Sequence, residues 1–204
     1  MQAQLPHYIT PEEYLEGEET SSVKHEYYDG QIYAMAGGTN AHAILCSNTL
    51  IALGAQLLGK PCRAVSSEQR VKVEATGLHV YPDTSVYCED ARFDGTGGIN
   101  LLDPTVIVEV LSRSTSAYDR GDKFDHYKRI ESLQDYVLTE QTRVHVEHFH
   151  RLENGDWLLR SFDDLSDTLA LPSVDCRVTL SQIYDGLNVP QGFLPLREVA
   201  PDEE

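Results

Sequence analysis

The stretch TVIVEVL at positions 105–111 decides the fold of this chain. All of its residues except Glu109 are apolar or β-branched, which is typical of a central strand covered on both faces. The residues that follow predict a helix over 117–130 and a second strand over 135–139. A strand–helix–strand order predicts a right-handed crossover between two parallel strands.

Turn signals and hydrophobic spacing predict further elements on both sides of this unit. The run TPEE at 10–13 has the pattern of a helix start with a capping box, and Asp29-Gly30 is a strong signal for a hairpin turn. The other expected elements are strands at 25–28, 31–35, 70–73, 79–88, 144–149 and 157–162, helices at 41–58 and 180–184, and a loop at 93–104.

These elements predict an α/β fold with one mixed sheet. Its core has the order helix, three strands, helix, strand, preceded by an N-terminal hairpin and followed by C-terminal antiparallel strands. A chain of 204 residues usually makes one domain. We therefore expect a single domain over 1–204, with its core over about 8–184 and a loosely held tail over 190–204.

The composition is that of a globular protein, with 41% hydrophobic and 24% charged residues. The formal net charge of −17 argues against broad, nonspecific attraction to nucleic acid, which needs Lys and Arg. No apolar stretch is long enough to span a membrane, and the first ten residues lack the features of a secretory signal. We therefore expect a soluble protein in the cytoplasm.

The four cysteines, at 46, 62, 88 and 176, are scattered along the sequence. They form no CxxC pair and no cluster with histidine at zinc-ligand spacing, which argues against a structural zinc site. In a chain without an export signal, such cysteines are expected to be reduced thiols.

Two acidic residues interrupt strand-like segments and are the leading candidates for chemistry. Asp83 follows Pro82 in the strand expected at 79–88, and Glu109 lies inside the apolar strand. If these strands pair, both carboxylates reach one point at a sheet edge, where a cation would relieve their repulsion. Oxygen-only ligation suits Mg²⁺ or Mn²⁺, and such an ion lowers the pKa of a water that attacks a phosphate.

Basic residues follow Glu109 in the next expected helix. Lys123 is the candidate that stabilises negative charge at the attacked phosphate, and Arg120 is the candidate that binds a flanking phosphate. Together with Lys128 and Arg129, they predict a positive surface patch. His42 is expected to contact substrate at most.

Three histidines, at 145, 148 and 150, lie close together in sequence. On a strand, His148 and His150 share one face while His145 points to the other. A three-histidine metal site is therefore excluded, and an exposed antiparallel strand is the expected setting.

The order of elements and the Pro82-Asp83 … Glu109-Val110-Leu111 spacing resemble the PD-(D/E)XK restriction-endonuclease-like superfamily. The runs VEVLSRST at 108–115, Asp119-Arg120 … Lys123 … Tyr127, and HEYYDGQI at 25–32 are similar to the Uma-two family of endonucleases. The resemblance covers about 8–184.

This resemblance implies a restriction-endonuclease-like mixed sheet in which Asp83 and Glu109 bind the metal and the Val110 carbonyl is a third ligand. It also implies Glu26 as an auxiliary acid. The superfamily's lysine, two places after the glutamate, is replaced here by Leu111. The family pattern moves that lysine to Lys123, which restores the chemistry only if its side chain points inward.

The first function expected is therefore a Mg²⁺-dependent endonuclease that hydrolyses DNA with a metal-activated water. A non-catalytic binding module with the same fold is the second, favoured by the leucine at 111 and by the net charge. A metal-dependent hydrolase of a substrate other than DNA is the third. A homodimer is expected by analogy, because cutting both strands of a duplex favours two sites.

Overall fold

The computed structural model describes residues 8–35, 37–95 and 97–192. Its helices are α1 Pro11–Thr20, α2 Asn40–Leu57, α3 Ser116–Arg120, α4 Asp122–Tyr127 and α5 Leu180–Ile183, with a 3-10 helix at Pro172–Val174. Its strands are β1 His25–Tyr28, β2 Gln31–Ala34, β3 Arg63–Ser66, β4 Arg70–Val73, β5 Leu78–Val80, β6 Thr84–Tyr87, β7 Phe93–Asp94, β8 Asn100–Leu101, β9 Val106–Leu111, β10 Asp135–Glu140, β11 Val146–Arg151, β12 Trp157–Phe162, β13 Thr168–Leu171 and β14 Cys176–Thr179.

The TVIVEVL stretch forms β9, inside a mixed six-stranded sheet of order β12-β11-β10-β9-β6-β3. β9 and β10 run parallel, with Glu109 opposite Leu138, and β10, β11 and β12 form an antiparallel meander. The parallel pair and the meander confirm the expected mixed sheet. Every residue of β9 is buried, as its composition predicts.

The two faces of this sheet pack into two hydrophobic clusters. Val106, Val108 and Val110 face the cluster that includes α2 and the C-terminal hairpin β13–β14. Ile107 and Leu111 face the other, which includes the aromatic residues of α4. Because side chains alternate along a strand, Glu109 lies on the same side as Ile107 and Leu111.

The strand expected at 79–88 is in fact two strands in two sheets. β5 belongs to a second sheet of order β2-β1-β5-β4-β8-β7, and β6 belongs to the central sheet. The break falls at Tyr81, Pro82 and Asp83, where proline has no N–H to donate to a ladder. Asp83 is thereby placed at the junction of the two sheets, immediately before β6.

The predicted N-terminal helix start and hairpin are confirmed. The Thr10 hydroxyl accepts a hydrogen bond from Glu13 N–H, and the Glu13 carboxylate accepts one from Thr10 N–H, which completes the capping box. Asp29 and Gly30 adopt φ values of 46° and 78°, as the tight turn between β1 and β2 requires. β1, which contains Glu26, pairs with β2 on one side and with β5 on the other.

The long helix expected over 41–58 is α2. Its buried residues are Leu45, Thr49, Leu53 and Leu57, spaced four apart along one stripe. The helix ends before Gly59, whose φ of 75° is in the left-handed region.

Several predicted boundaries are wrong. The helix expected over 117–130 is divided into α3 and α4, because the backbone of Gly121 is non-helical, with φ −111° and ψ −102°. The loop expected over 93–104 contains the short strands β7 and β8, while β3, β13 and β14 were not predicted at all.

The tail expected to be loose begins as an attached segment. Pro190 O accepts a hydrogen bond from Val144 N–H, and Gly192 N–H donates one to Asp163 O. The remainder of that tail, 193–204, and residues 1–7 of the expected single domain lie outside the described residues.

The expectation of reduced thiols is wrong for two of the four cysteines. Cys62 and Cys88 form a disulfide, while Cys46 and Cys176 are free. The antiparallel pairing of β3 with β6 sets Arg63 opposite Tyr87, so the flanking cysteines are neighbours across the ladder. This proximity follows from a strand that sequence patterning did not reveal.

The expectation that the histidine-rich strand is exposed is also wrong. β11 lies between β10 and β12 inside the sheet, and His148 and His145 are only 4% and 9% exposed. Across the part of the chain that the structure describes, none of the helices combines the length and the apolar character needed to cross a membrane.

Candidate active site

Asp83 and Glu109 are brought together by the pairing of β6 with β9. The two strands are antiparallel, with Thr84 opposite Val108. Asp83, which precedes Thr84, therefore lies next to Glu109, which follows Val108. The backbone N–H of Val110 donates to Asp83 Oδ2 at 2.8 Å, and the backbone N–H of Asp83 donates to Glu109 Oε2 at 3.4 Å. Both side chains line one cleft. They meet between interior strands, where β6 begins, rather than on an edge strand.

Lys123 points inward, as the sequence argument required. Its ammonium lies 2.9 Å from Glu109 Oε1 and 3.1 Å from Glu26 Oε1. The side chain is 7% exposed. α4 is held in this position by Phe124 and Tyr127, which pack into the cluster beneath the sheet. Four residues predicted from the sequence, Asp83, Glu109, Lys123 and Glu26, therefore surround one site.

Two further residues of the site were missed by the sequence argument. The Tyr127 hydroxyl donates to Glu109 Oε1 at 2.9 Å, and Asp119 Oδ1 lies 3.6 Å from the Lys123 ammonium. The i,i+4 spacing of Asp119 and Lys123 was a usable signal, since such residues are neighbours on a helix. The four-residue step from Lys123 to Tyr127 carried the same signal.

The burial of this cluster perturbs its ionisation. Burial raises the pKa of Glu109 and the nearby charge of Asp83 adds to the rise, while the ammonium of Lys123 opposes it. Burial by itself lowers the pKa of Lys123, but the charge of Glu109 is the largest of several that outweigh it, so the pKa ends well above its usual value. Lys123 is therefore a permanent cation at neutral pH.

His42 and Cys46 extend the site from α2. His42 Nε2 lies 3.3 Å from Asp83 Oδ2, and His42 Nδ1 lies 3.3 Å from Cys46 Sγ. The hydrogen bond with Asp83 raises the pKa of His42, and burial raises that of the Cys46 thiol. His42, Cys46 and Asp83 place one donor atom each within 4.8 Å of one another and could hold a metal ion.

Arg120 is not brought to the site. Its guanidinium pairs with Glu147 at 2.7 Å and with Glu140 at 2.8 Å, on the strands β11 and β10. The two carboxylates accept hydrogen bonds from the guanidinium N–H groups of Arg120 that would otherwise bind a phosphate. The prediction that Arg120 binds a flanking phosphate is therefore not supported by this geometry.

Three of the four cations expected to form a positive patch are neutralised, whereas the fourth, Arg129, is exposed. Lys123 is buried among carboxylates, Arg120 is paired as described, and Lys128 lies 2.5 Å from Asp125. Neighbouring acids neutralise these cations, an arrangement that favours solubility and disfavours direct attraction of DNA to this surface.

The cleft that contains the site has a volume of about 1170 Å³. Its lining includes six carboxylate residues, Glu26, Asp83, Glu109, Asp119, Asp122 and Asp125, against two permanently cationic ones, Arg113 and Lys123. A phosphate entering so acidic a space needs an additional cation. The donor set also fits one, since the oxygens of Asp83 and Glu109 are ligands that Mg²⁺ and Mn²⁺ prefer.

The model of the Uma2 family, described as "Putative restriction endonuclease", matches residues 11–181. The chain belongs to the Uma2 family. Two relatives of similar sequence are described as "Uncharacterized protein slr1290" and "Uncharacterized protein sll1609" of Synechocystis sp.. The first is 39% identical over 179 residues, covering 88% of this chain and 93% of the relative. The second is 31% identical over 151 residues, covering 74% and 85%.

A solved structure shows the fold of this Uma2 chain independently. It is described as a "putative nuclease belonging to DUF820" from Anabaena variabilis and matches with a TM-score of 0.69 at 17% identity, covering 86% of this chain and 97% of the other. The Uma2 chain therefore has the restriction-endonuclease-like fold that the resemblance of its sequence implied.

Proposed function

We propose that this Uma2 protein is a divalent-metal-dependent endonuclease that hydrolyses DNA phosphodiester bonds in the cleft around Asp83 and Glu109. The observation that carries the proposal is the position of Lys123. Although it comes from α4 and not from β9, its ammonium lies 2.9 Å from Glu109. The missing lysine at 111 is thus replaced in space.

The metal is assigned to Asp83, Glu109 and the Val110 carbonyl. When bound, Mg²⁺ or Mn²⁺ would polarise a phosphate and acidify a water. It would also relieve the excess of negative charge in the cleft.

The remaining groups act through charge and orientation. Lys123 supplies a fixed positive charge where negative charge develops on the attacked phosphate. Glu26 holds that ammonium at 3.1 Å, and the Tyr127 hydroxyl fixes one oxygen of Glu109. His42, beside Asp83, is placed to contact a phosphate at the mouth of the cleft. Each of these groups is held by at least one partner before substrate arrives.

The proposal is tested by incubating supercoiled plasmid with the purified protein and Mg²⁺ or Mn²⁺. Asp83→Ala and Glu109→Ala are each expected to lower the nicking rate by about 10²-fold or more. Glu153→Ala is the matched control, because Glu153 is an exposed acid outside the cleft, and it should cleave like the unchanged protein. Cleavage that persists in both site variants would mean a contaminating nuclease and refute the proposal.

Lys123→Met is compared with Lys128→Met in the same assay. Lys128 is 37% exposed and pairs with Asp125 on its own helix, so its replacement should leave the rate unchanged. Loss of activity only in Lys123→Met supports the displaced lysine.

Two other functions remain outcomes of these measurements. The neutralised surface around Arg120 and Lys128 favours a protein that does not attract DNA broadly. Metal binding without plasmid cleavage would support a non-catalytic module or a hydrolase of another substrate.

A homodimer is part of the proposal, and light scattering during gel filtration tests it. Its cytoplasmic location is likewise proposed, and cell fractionation tests it.

A further inference from the structure

A second cluster of metal-ligating side chains lies on β10 and β11. His148 Nε2 and His150 Nδ1 each lie 2.7 Å from Asp135 Oδ1. In the antiparallel pairing, Asp135 is opposite His150 and Val137 is opposite His148. Since alternate residues share a face, all three functional side chains project from the same side of the sheet.

This cluster is separate from the nuclease cleft. Asp135 shares its face with Val137, which packs into the core cluster around α2, whereas Glu109 faces the opposite cluster. Asp135 is opposite Val106, and Glu109 is opposite Leu138, three residues further along. The two sites are thus on opposite faces and displaced by roughly 10 Å along the strands.

The cluster is built into the interior. The side chain of Asp135 is fully buried, that of His148 is 5% exposed and that of His150 is 31% exposed. Ser173, in the 3-10 helix, donates its hydroxyl to the second oxygen of Asp135. Carboxylates are rarely buried without charged or hydrogen-bonding partners, and here His150 leaves a route from solvent to the buried carboxylate.

We propose that Asp135, His148 and His150 bind a divalent transition-metal ion of the zinc class. Their donor atoms lie within 4.8 Å of one another. Two imidazole nitrogens and one carboxylate oxygen suit Zn²⁺, Co²⁺ or Ni²⁺ and do not suit Mg²⁺, which prefers oxygen. With neutral rings the cluster carries one negative charge, which a divalent ion compensates. This proposal is independent of the nuclease function.

Metal binding requires each proton to move to the other nitrogen of its ring and the donor atoms to separate slightly from 2.7 Å, because ligands about 2.0–2.1 Å from a tetrahedral zinc ion lie roughly 3.4 Å apart. In the hydrogen-bonded arrangement, His148 Nε2–H and His150 Nδ1–H donate to Asp135. In the metal-bound form those nitrogens offer lone pairs, and each proton resides on the other nitrogen of its ring. Ser173 supplies a possible fourth oxygen. The ion would then fasten the segment between β13 and β14 to the central sheet, a structural role.

The test uses full-length protein carrying Cys46→Ser and Asp83→Asn, which removes two of the three ligands of the cluster near the cleft. Competition with a chromogenic chelator, in excess Mg²⁺, should reveal one equivalent of Zn²⁺. Adding His150→Gln keeps a hydrogen-bond donor to Asp135 but removes the imidazole, and should weaken Zn²⁺ binding at least about tenfold.

The matched control is His145→Gln in the same background. His145 precedes β11, points to the other face and pairs with Asp163 at 2.7 Å, so its replacement should not change the Zn²⁺ affinity. Binding that is absent from the background protein, or equal with and without His150→Gln, would overturn the proposal. Asp135, His148 and His150 would then be a hydrogen-bonded cluster that binds no metal.

A measurement without substitution at the cluster guards against a folding defect. X-ray absorption at the zinc edge of the background protein should show two imidazole ligands. A zinc ion with one imidazole or none would overturn the assignment, since only one histidine remains at the cluster near the cleft. Zn²⁺ should also raise the thermal midpoint of the background protein by more than it raises that of its His150→Gln variant.

Discussion

Replacing Lys123 by methionine tests whether the buried ammonium organises the site. At 2.9 Å from Glu109, its direct attraction to that carboxylate is about 6 kcal/mol at an effective dielectric of about 20. Most of this attraction offsets the free-energy cost of removing the two charges from water. The loss of one partner of a buried pair therefore destabilises a protein by about 3–5 kcal/mol. Burial already raises the pKa of Glu109 and the loss of Lys123 raises it further, so proton uptake by Glu109 limits the cost. We expect Lys123→Met to lower the free energy of unfolding by about 3 kcal/mol.

The assay is urea denaturation followed by far-UV circular dichroism, in buffer with EDTA so that no metal compensates for the lost charge. Glu109→Gln and the double variant complete a thermodynamic cycle, in which we expect a coupling of about 2–3 kcal/mol. Lys128→Met, which breaks an exposed pair on the same helix, should cost no more than about 0.5 kcal/mol. A coupling below about 0.5 kcal/mol, or equal costs for the two lysine variants, would refute the arrangement.

Three further predictions follow from buried groups. Burial lowers the pKa of His79 to about 4, so the unfolded chain binds more protons below about pH 6.5. Stability should fall by about 2–3 kcal/mol between pH 7 and 4.5, and His79→Leu should flatten that slope in urea titrations. Cys62→Ser with Cys88→Ser opens a link across 26 residues and should cost about 3 kcal/mol in non-reducing buffer; equal stability there would contradict the disulfide. Tyr127→Phe removes one of the two donors to Glu109 Oε1 and leaves Lys123 as the other, so a loss of about 0.5–1.5 kcal/mol is expected in calorimetry, and no loss would mean the bond is not formed.

The sequence predicted the centre of the fold because the pattern there is local. The apolar run over 105–111, followed by a helix-period segment and another apolar run, leaves few topologies besides a parallel pair. The convergence of Asp83 and Glu109 then depended only on pairing between β6 and β9. Pro82 carried a signal that the strand predicted over 79–88 ignored, because proline marks a position where a strand stops.

The disulfide and the surface charge could not be predicted in the same way. Cys62 and Cys88 become neighbours through β3, a four-residue strand whose composition does not distinguish it from a turn. The positive patch failed because the acids that neutralise Arg120 come from Glu140 and Glu147, on strands well after it in sequence. Non-local pairing decides both features, and hydrophobic periodicity carries no information about it.

The proposed exchange of a strand lysine for a helix lysine has a physical rationale. Position 111 lies on the same face as Glu109, and Leu111 is 3% exposed in the cluster beneath the sheet. A leucine there contributes to the core, while Lys123 delivers its ammonium to Glu109 from α4 at hydrogen-bonding distance. Charge stabilisation depends on where a positive group lies and not on the element that carries it. The cost is that Glu26, Glu109 and Asp119 all surround that cation, so Lys123 alone cannot attract a phosphate. An activity at this site must therefore depend steeply on added divalent ion.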